Sequence, residues 1–218
     1  MMDAKKAREW IAQRVAKELH DGDVVNLGIG IPTLVANFLP QGVQIFLQSE
    51  NGVLGMGPVP PEGFENPEIS NAGGMPVSFL PGAAAFDSAT SFGLIRGGHV
   101  DVTVLGALQV DARGHLANWM IPGKLIPGMG GAMDLVTGAK KVIVAMTHTN
   151  KDGSPKIIET CTLPLTSIRK VDLVVTDAAV LEVNSHGLVL QELGPQTTLE
   201  ELIQSTGANL IIPEKFRK

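Results

Sequence analysis

Four short runs of this chain are apolar at nearly every position: "VVNLGIG" from Val24, "DVTVLGALQV" from Asp101, "KVIVAMT" from Lys141 and "VDLVVTD" from Val171. A strand that is apolar only at alternate positions buries one face, whereas a strand apolar throughout buries both. Such strands belong in the middle of a sheet that helices cover on its two sides. The intervening segments supply the helices. Ile11, Val15 and Leu19 recur at helical spacing among charges, which predicts an amphipathic helix over residues 3–20. "IPTLVANFL" reads as a short helix with Pro32 in its first turn, and residues 86–96 as another. "AMDLVTGA" is a short helix ended by Gly138, and Thr198 with Glu201 forms a capping-box signature for a last one.

"VQIFLQSE" and "AVLEV" add strands, with "DARG", "NKDG" and "NSHG" as turns. Residues 51–76 and 121–131 are rich in glycine and proline and read mostly as loop. No repeat, low-complexity tract or linker divides the chain. The expectation is one α/β domain over residues 1–218, a mostly parallel sheet covered by helices, with some antiparallel hairpins.

The charge balance of −5, without a basic run longer than two residues, speaks against a nucleic-acid partner. No apolar stretch approaches the ~20 residues of a membrane span. The N-terminal segment is charged throughout, unlike a secretory leader, and the single cysteine, Cys161, fits a reducing compartment. A cytoplasmic protein is expected. The 25 glycines and 14 prolines, with no tyrosine, point to function carried by loops and close backbone contact.

Gly28 and Gly30 follow a strand and precede a helix, as in a dinucleotide fingerprint, and Glu50 lies 22 residues after Gly28 where a ribose-binding acid would sit. A nicotinamide-dependent oxidoreductase using these three residues is therefore one reading. Against it, Thr33 replaces the third glycine and Pro32 removes an N–H donor from the helix start. A tight strand-to-helix turn would need the same small residues. The five histidines form no metal-ligand spacing with one another, Cys161 or an acid, and Cys161 in "ETCTLPL" reads as a core thiol. No G-x-S-x-G elbow is present.

Glu50 stands apart. An apolar strand leads into it, so it lies at the sheet's carboxyl edge, where open α/β sheets bind ligands. Asn51-Gly52 favours an immediate reversal, and Gly52, Gly55 and Gly57 leave room for a large ligand. A carboxylate so placed could be a base, a nucleophile or simply a solvated turn acid.

"LQSENGVLGMGP" resembles the glutamate signature of the beta subunits of class I coenzyme A transferases, of the 3-oxoacid and acetate/butyrate–acetoacetate type. "VNLGIGIPTLVANFLP", "SFGLIRGGHVDVTVLGALQVD", "LANWMIPGKLIPGMGGAMDLV" and "CTLPLT" resemble further segments in the family's order, so the likeness covers nearly the whole chain. The length resembles a free beta subunit rather than the fused form.

The resemblance implies the CoA-transferase / sugar-isomerase-like fold. It implies Glu50 as nucleophile, a backbone N–H at Gly131 serving the oxyanion with Gly130 beside it, and Asn26 lining the same pocket. Gly28, Gly30 and Asn51 complete the expected substrate contacts. It also implies a partner alpha subunit, two of each chain in the assembly, coenzyme A as substrate, and neither a tightly bound cofactor nor a metal. Gly73-Gly74 in "NAGGMP" departs from the "NAGK" of several succinate- and oxoadipate-using relatives, which disfavours a dicarboxylic acid. A non-catalytic ligand sensor on the sugar-isomerase-like version of the fold is a third reading.

Overall fold

Val142 and Val144 of the strand Lys141–Ala145 pack into one hydrophobic cluster, and Ile143 and Ala145 pack into another. One alternating strand thus feeds two cores, because its sheet is covered on both faces. Ile11, Val15 and Val35 lie in the second cluster, while Ile95, Leu135 and Leu202 lie in the first. The structure, a computed structural model, describes residues 3–123 and 128–217.

In chain order the elements are α1 (Ala4–Ala16), β1 (Val24–Leu27), a 3-10 helix (Pro32–Phe38), β2 (Phe46–Ser49), β3 (Val53–Met56), β4 (Phe79–Ala85) and α2 (Ser88–Arg96). There follow β5 (Val102–Leu105), β6 (Gln109–Asp111), β7 (Leu116–Ala117), α3 (Ala132–Gly138), β8 (Lys141–Ala145) and β9 (Ile157–Ile158). The chain continues with β10 (Leu173–Val175), β11 (Ala179–Asn184), β12 (Gly187–Leu193), α4 (Leu199–Ser205), β13 (Leu210–Ile211) and a last 3-10 turn (Glu214–Phe216). No described helix is long and apolar enough to cross a membrane.

Ten strands form one sheet in the order β13-β12-β11-β10-β8-β5-β1-β2-β3-β4. The five in the middle, β10 through β2, are mutually parallel, and four of them, β10, β8, β5 and β1, come from the apolar runs. Antiparallel pairings extend the sheet, β2–β3 and β3–β4 on one side and β10–β11 and β11–β12 on the other. From β1 the chain steps outward to β2, and it later returns to place β5 on the other side of β1. The loops leaving β1 and β5 therefore part in opposite directions, and their divergence opens a crevice at the strands' carboxyl ends.

The structure corrects several sequence expectations. "DVTVLGALQV" is two strands, β5 in the large sheet and β6 in a small sheet of order β7-β6-β9. Residues 51–76, expected as mostly loop, contain β3, and β4 follows directly. The first helix stops at Ala16, short of the expected residue 20, while the short helix expected in "IPTLVANFL" is present as a 3-10 helix opening on Pro32. Strand β12 follows the "NSHG" turn and was not anticipated. The capping box is present, with Thr198 accepting from the Glu201 N–H and Glu201 accepting in return. Residues 124–127 of the loop expected over 121–131 lie outside the described residues.

Candidate active site

β2 ends at Ser49, and Glu50 is the first residue of a reversal that brings the chain back as β3. The Gly52 N–H closes the turn on Ser49 O at 3.0 Å. Gly52 carries φ +122°, and a Cβ there would stand 2.0 Å from Phe86 O, so only glycine fits. Among the described residues every positive φ belongs to a glycine, so Asn51 takes no part in the left-handed step.

Three features frame the half-buried Glu50 side chain. From below, Asn26 Nδ2 donates to Glu50 Oε2 at 3.0 Å. Asn26 is 2% exposed, on β1, and the parallel register sets it beside Gln48, whose Oε1 accepts from the same amide at 2.8 Å. From the side, Gly131 presents bare backbone: a Cβ there would lie 2.9 Å from Glu50 Cγ and 3.2 Å from Oε1. In front is a cleft of about 1100 Å³, whose floor includes Leu27, Leu47, Leu105 and Leu135. Glu50 is the one ionisable side chain among its described lining residues. Among those residues, too, nothing donates a hydrogen bond to Glu50 Oε1. One carboxylate oxygen is anchored and the other faces an apolar, glycine-walled space, which suits attack on an electrophile or proton abstraction.

Asn26, Gly28, Glu50, Gly130 and Gly131 all line this cleft. Gly28 binds the β1 loop to β5, its N–H donating to Val104 O at 2.8 Å. Gly130, at φ +48°, shapes the loop that delivers Gly131 to the start of α3. Two expected contacts lie elsewhere. Gly30 does not line the cleft but makes the turn after β1 at φ +97°, its carbonyl accepting from Thr33 Oγ1 at 2.8 Å. Asn51 donates its amide to Ser70 O at 2.7 Å and so secures the neighbouring loop rather than the cleft. The room expected at Gly52 and Gly55 is taken by the chain itself, by Phe86 O and by Ala83. Sequence reasoning missed Gln48 and the fully buried Ser91 on α2, which meet at 3.0 Å beneath Glu50. The signal in the sequence was a glutamine at an inward position of an apolar strand.

Other reactive groups have structural surroundings. Burial holds His148 down to about 4, with Asp177 opposing and Lys156 assisting, and both ring nitrogens lie 2.9 Å from threonine hydroxyls, those of Thr176 and Thr206. Burial, with the Asp111 charge, pushes the Cys161 thiol up to about 12, which fits an inert thiol. Among the described residues no group of three His, Cys, Asp or Glu could hold a metal ion.

The fold and the cleft define an α/β protein with a lone carboxylate at the switch point of its sheet. Comparison with known proteins names the class: the profile of the coenzyme A transferase family matches residues 8–205, and the chain belongs to that family. It is 56% identical over 212 residues to the beta subunit of the acetate CoA-transferase of Haemophilus influenzae, covering 97% of this chain and 95% of that one. It is 52% identical over 201 residues to one subunit of the succinyl-CoA:3-ketoacid coenzyme A transferase of Helicobacter pylori, covering 92% and 97%. Among solved structures, an acyl-CoA transferase apoenzyme from Escherichia coli O157:H7 superposes with TM-score 0.75 at 22% identity. That match spans 99% of this chain but only 44% of the longer one and speaks to the fold alone. Nothing in these comparisons supports a nicotinamide enzyme, and the 3-10 helix opening on Pro32 lacks the N–H array of a pyrophosphate site.

Proposed function

We propose that this chain is the beta half of an enzyme that moves coenzyme A between short-chain carboxylic acids of the acetate, butyrate and acetoacetate class. The observation that carries the reading is the Glu50 carboxylate, fixed through Oε2 by Asn26 and set against the bare backbone of Gly131. Glu50 attacks the thioester carbonyl of an acyl-CoA, and collapse of the tetrahedral adduct expels CoA thiolate and leaves an acyl-glutamyl anhydride. The thiolate then attacks the glutamyl carbonyl, releasing the first acid as carboxylate and forming glutamyl-CoA. The second acid attacks that thioester, re-forming an anhydride and thiolate, and the thiolate takes the new acyl group and frees Glu50. The thioester's energy is conserved, so the cycle needs no ATP, metal or tightly bound cofactor.

A backbone N–H at Gly131 stabilises the oxyanion; one such donor is worth about 2.7–4 kcal/mol in other enzymes. Water has to be kept from the anhydride, and a partner chain closing over the cleft would do so. The Haemophilus influenzae relative is named as a beta subunit, which supports an alpha subunit as that partner. We take the assembly as two alpha and two beta chains, in the cytoplasm. The leucines of the lining, Leu27, Leu47, Leu105 and Leu135, suit a short apolar acyl chain.

The test uses the complex with its alpha subunit. Acyl-CoA alone followed by borohydride reduces and inactivates Glu50, and Glu50→Gln abolishes transfer with the fold intact. Full transfer by Glu50→Gln, or no adduct at Glu50, overturns the reading. Assay against acetate, butyrate, acetoacetate and succinate then fixes the acid pair.

A further inference from the structure

The registers of β2, β1 and β5 place Gln48, Asn26 and Thr103 side by side at one level of the sheet. Ser91 of α2 packs over this row, and both Ser91 and Gln48 are almost completely buried, 0% and 2% exposed. Hydrogen bonding here has a direction. Gln48 Nε2 donates to Ser91 Oγ at 3.0 Å, and the serine hydroxyl reaches on to Ser49 O at 3.5 Å. Gln48 Oε1 is thereby left as acceptor for Asn26 Nδ2, 2.8 Å away. That amide nitrogen carries two protons. One is held by Gln48, chiefly by Oε1 and more weakly by the backbone carbonyl at 3.2 Å, and the other points at Glu50 Oε2, 3.0 Å away.

A primary amide has nearly the same shape either way round. Turned over, Asn26 would set Oδ1 against the Glu50 carboxylate and a second acceptor against Gln48 Oε1. Both contacts would be repulsive, so Gln48 Oε1 reinforces the bias that the Gln48 backbone carbonyl already gives, and Ser91, its own proton turned to Ser49 O, accepts from Gln48 Nε2 and keeps Oε1 facing Asn26. We infer that Gln48, seated by Ser91, is a positioning residue that acts through Asn26 to keep an N–H donor rather than a carbonyl oxygen on Glu50. The inference rests on the proposed role of Glu50.

The experiment is a double-mutant cycle in the assembled complex with its alpha subunit. Gln48→Met preserves bulk and removes the acceptor. It is expected to lower kcat about 10-fold to 100-fold, the range for loss of a hydrogen bond to a charged group, while KM for acyl-CoA stays within about twofold. In an Asn26→Ala background the same change is expected to cost nothing further, because its route of action is gone. Ser91→Ala lowers kcat by a smaller factor, and Ser91→Thr, which keeps the hydroxyl, restores it. Unchanged kcat in Gln48→Met, a loss confined to KM, or losses that multiply with Asn26→Ala would each overturn the inference. Should Gln48→Met not fold, the serine pair decides alone: equal activity of Ser91→Ala and Ser91→Thr overturns it. Borohydride labelling of Glu50 in the unmutated complex separates the two levels. Normal labelling with a fully active Gln48→Met sinks only the relay, whereas absent labelling sinks the nucleophile.

Discussion

Gly131 and Glu50 are in contact so close that the smallest side chain would not fit between them, a Cβ on Gly131 falling 2.9 Å from Glu50 Cγ and 3.2 Å from Cδ. Gly131 itself sits at φ −84° and ψ 1°, a bridge conformation with negative φ that alanine also adopts at the third position of type I turns. The glycine is therefore demanded by its neighbour rather than by its own backbone. Gly131→Ala should fold with a melting temperature near that of the parent, yet displace the carboxylate and cut transfer by roughly 10²-fold. Steady-state kinetics alongside a thermal melt would check this, and an active Gly131→Ala enzyme would contradict it.

Gly52 offers the opposite case. Its φ of +122° and the Phe86 carbonyl 2.0 Å from a built Cβ leave no room for relaxation. Gly52→Ala should lower stability by about 3 kcal/mol or more, combining backbone strain with overpacking. Urea unfolding measures it, and a change under about 0.5 kcal/mol would refute the steric reading.

His148 predicts an acid-side loss of stability. Unfolded, its imidazole takes up a proton near 6.5; folded, burial holds this off until about 4. Between those values the unfolded chain binds the extra proton, so stability is complete above pH 6.5 and falls as pH drops toward 4, by roughly 3 kcal/mol in total. His148→Gln lacks this contribution. The gap between its unfolding midpoint and the parent's should narrow from pH 7.5 to pH 5, whereas a gap independent of pH would exclude the assignment.

Thr103, the third member of the buried row, has a hydroxyl without a hydrogen-bond partner among the described residues. An unpaired buried donor costs about 1–3 kcal/mol. Thr103→Val keeps the shape and removes the group, so it should be neutral to stabilising by about 1 kcal/mol. A clear loss of stability on urea unfolding would mean that the hydroxyl is satisfied by a partner such as buried water.

The sequence made some of this visible and hid the rest for physical reasons. The apolar runs at Val24, Val102, Lys141 and Leu173 announced a parallel core because a strand covered on two faces must be apolar on both. Glu50, Asn26, Gly28, Gly130 and Gly131 could be named because they sit in a recognisable family signature, and the cleft gathers all five. Strands β3 and β4 stayed hidden because Gly55, Pro81 and Gly82 oppose strand propensity, and pairing with neighbours overrides it. Asn51 misled for a related reason: Asn-Gly advertises a turn, but which side chain faces the cleft depends on the loop at Ser70. The partnership of Gln48 with Ser91 spans 43 positions and exists only once α2 has docked.

At the rim of the ten-stranded sheet, β4 lies open along its length, a ready template for another chain. Proline at 81 withholds a donor and Gly82, at φ +86°, twists the strand out of line. Both features make the edge a poorer template for a second strand, and replacing Pro81 and Gly82 with two valines is expected to raise the chain's tendency to pair edge to edge and aggregate.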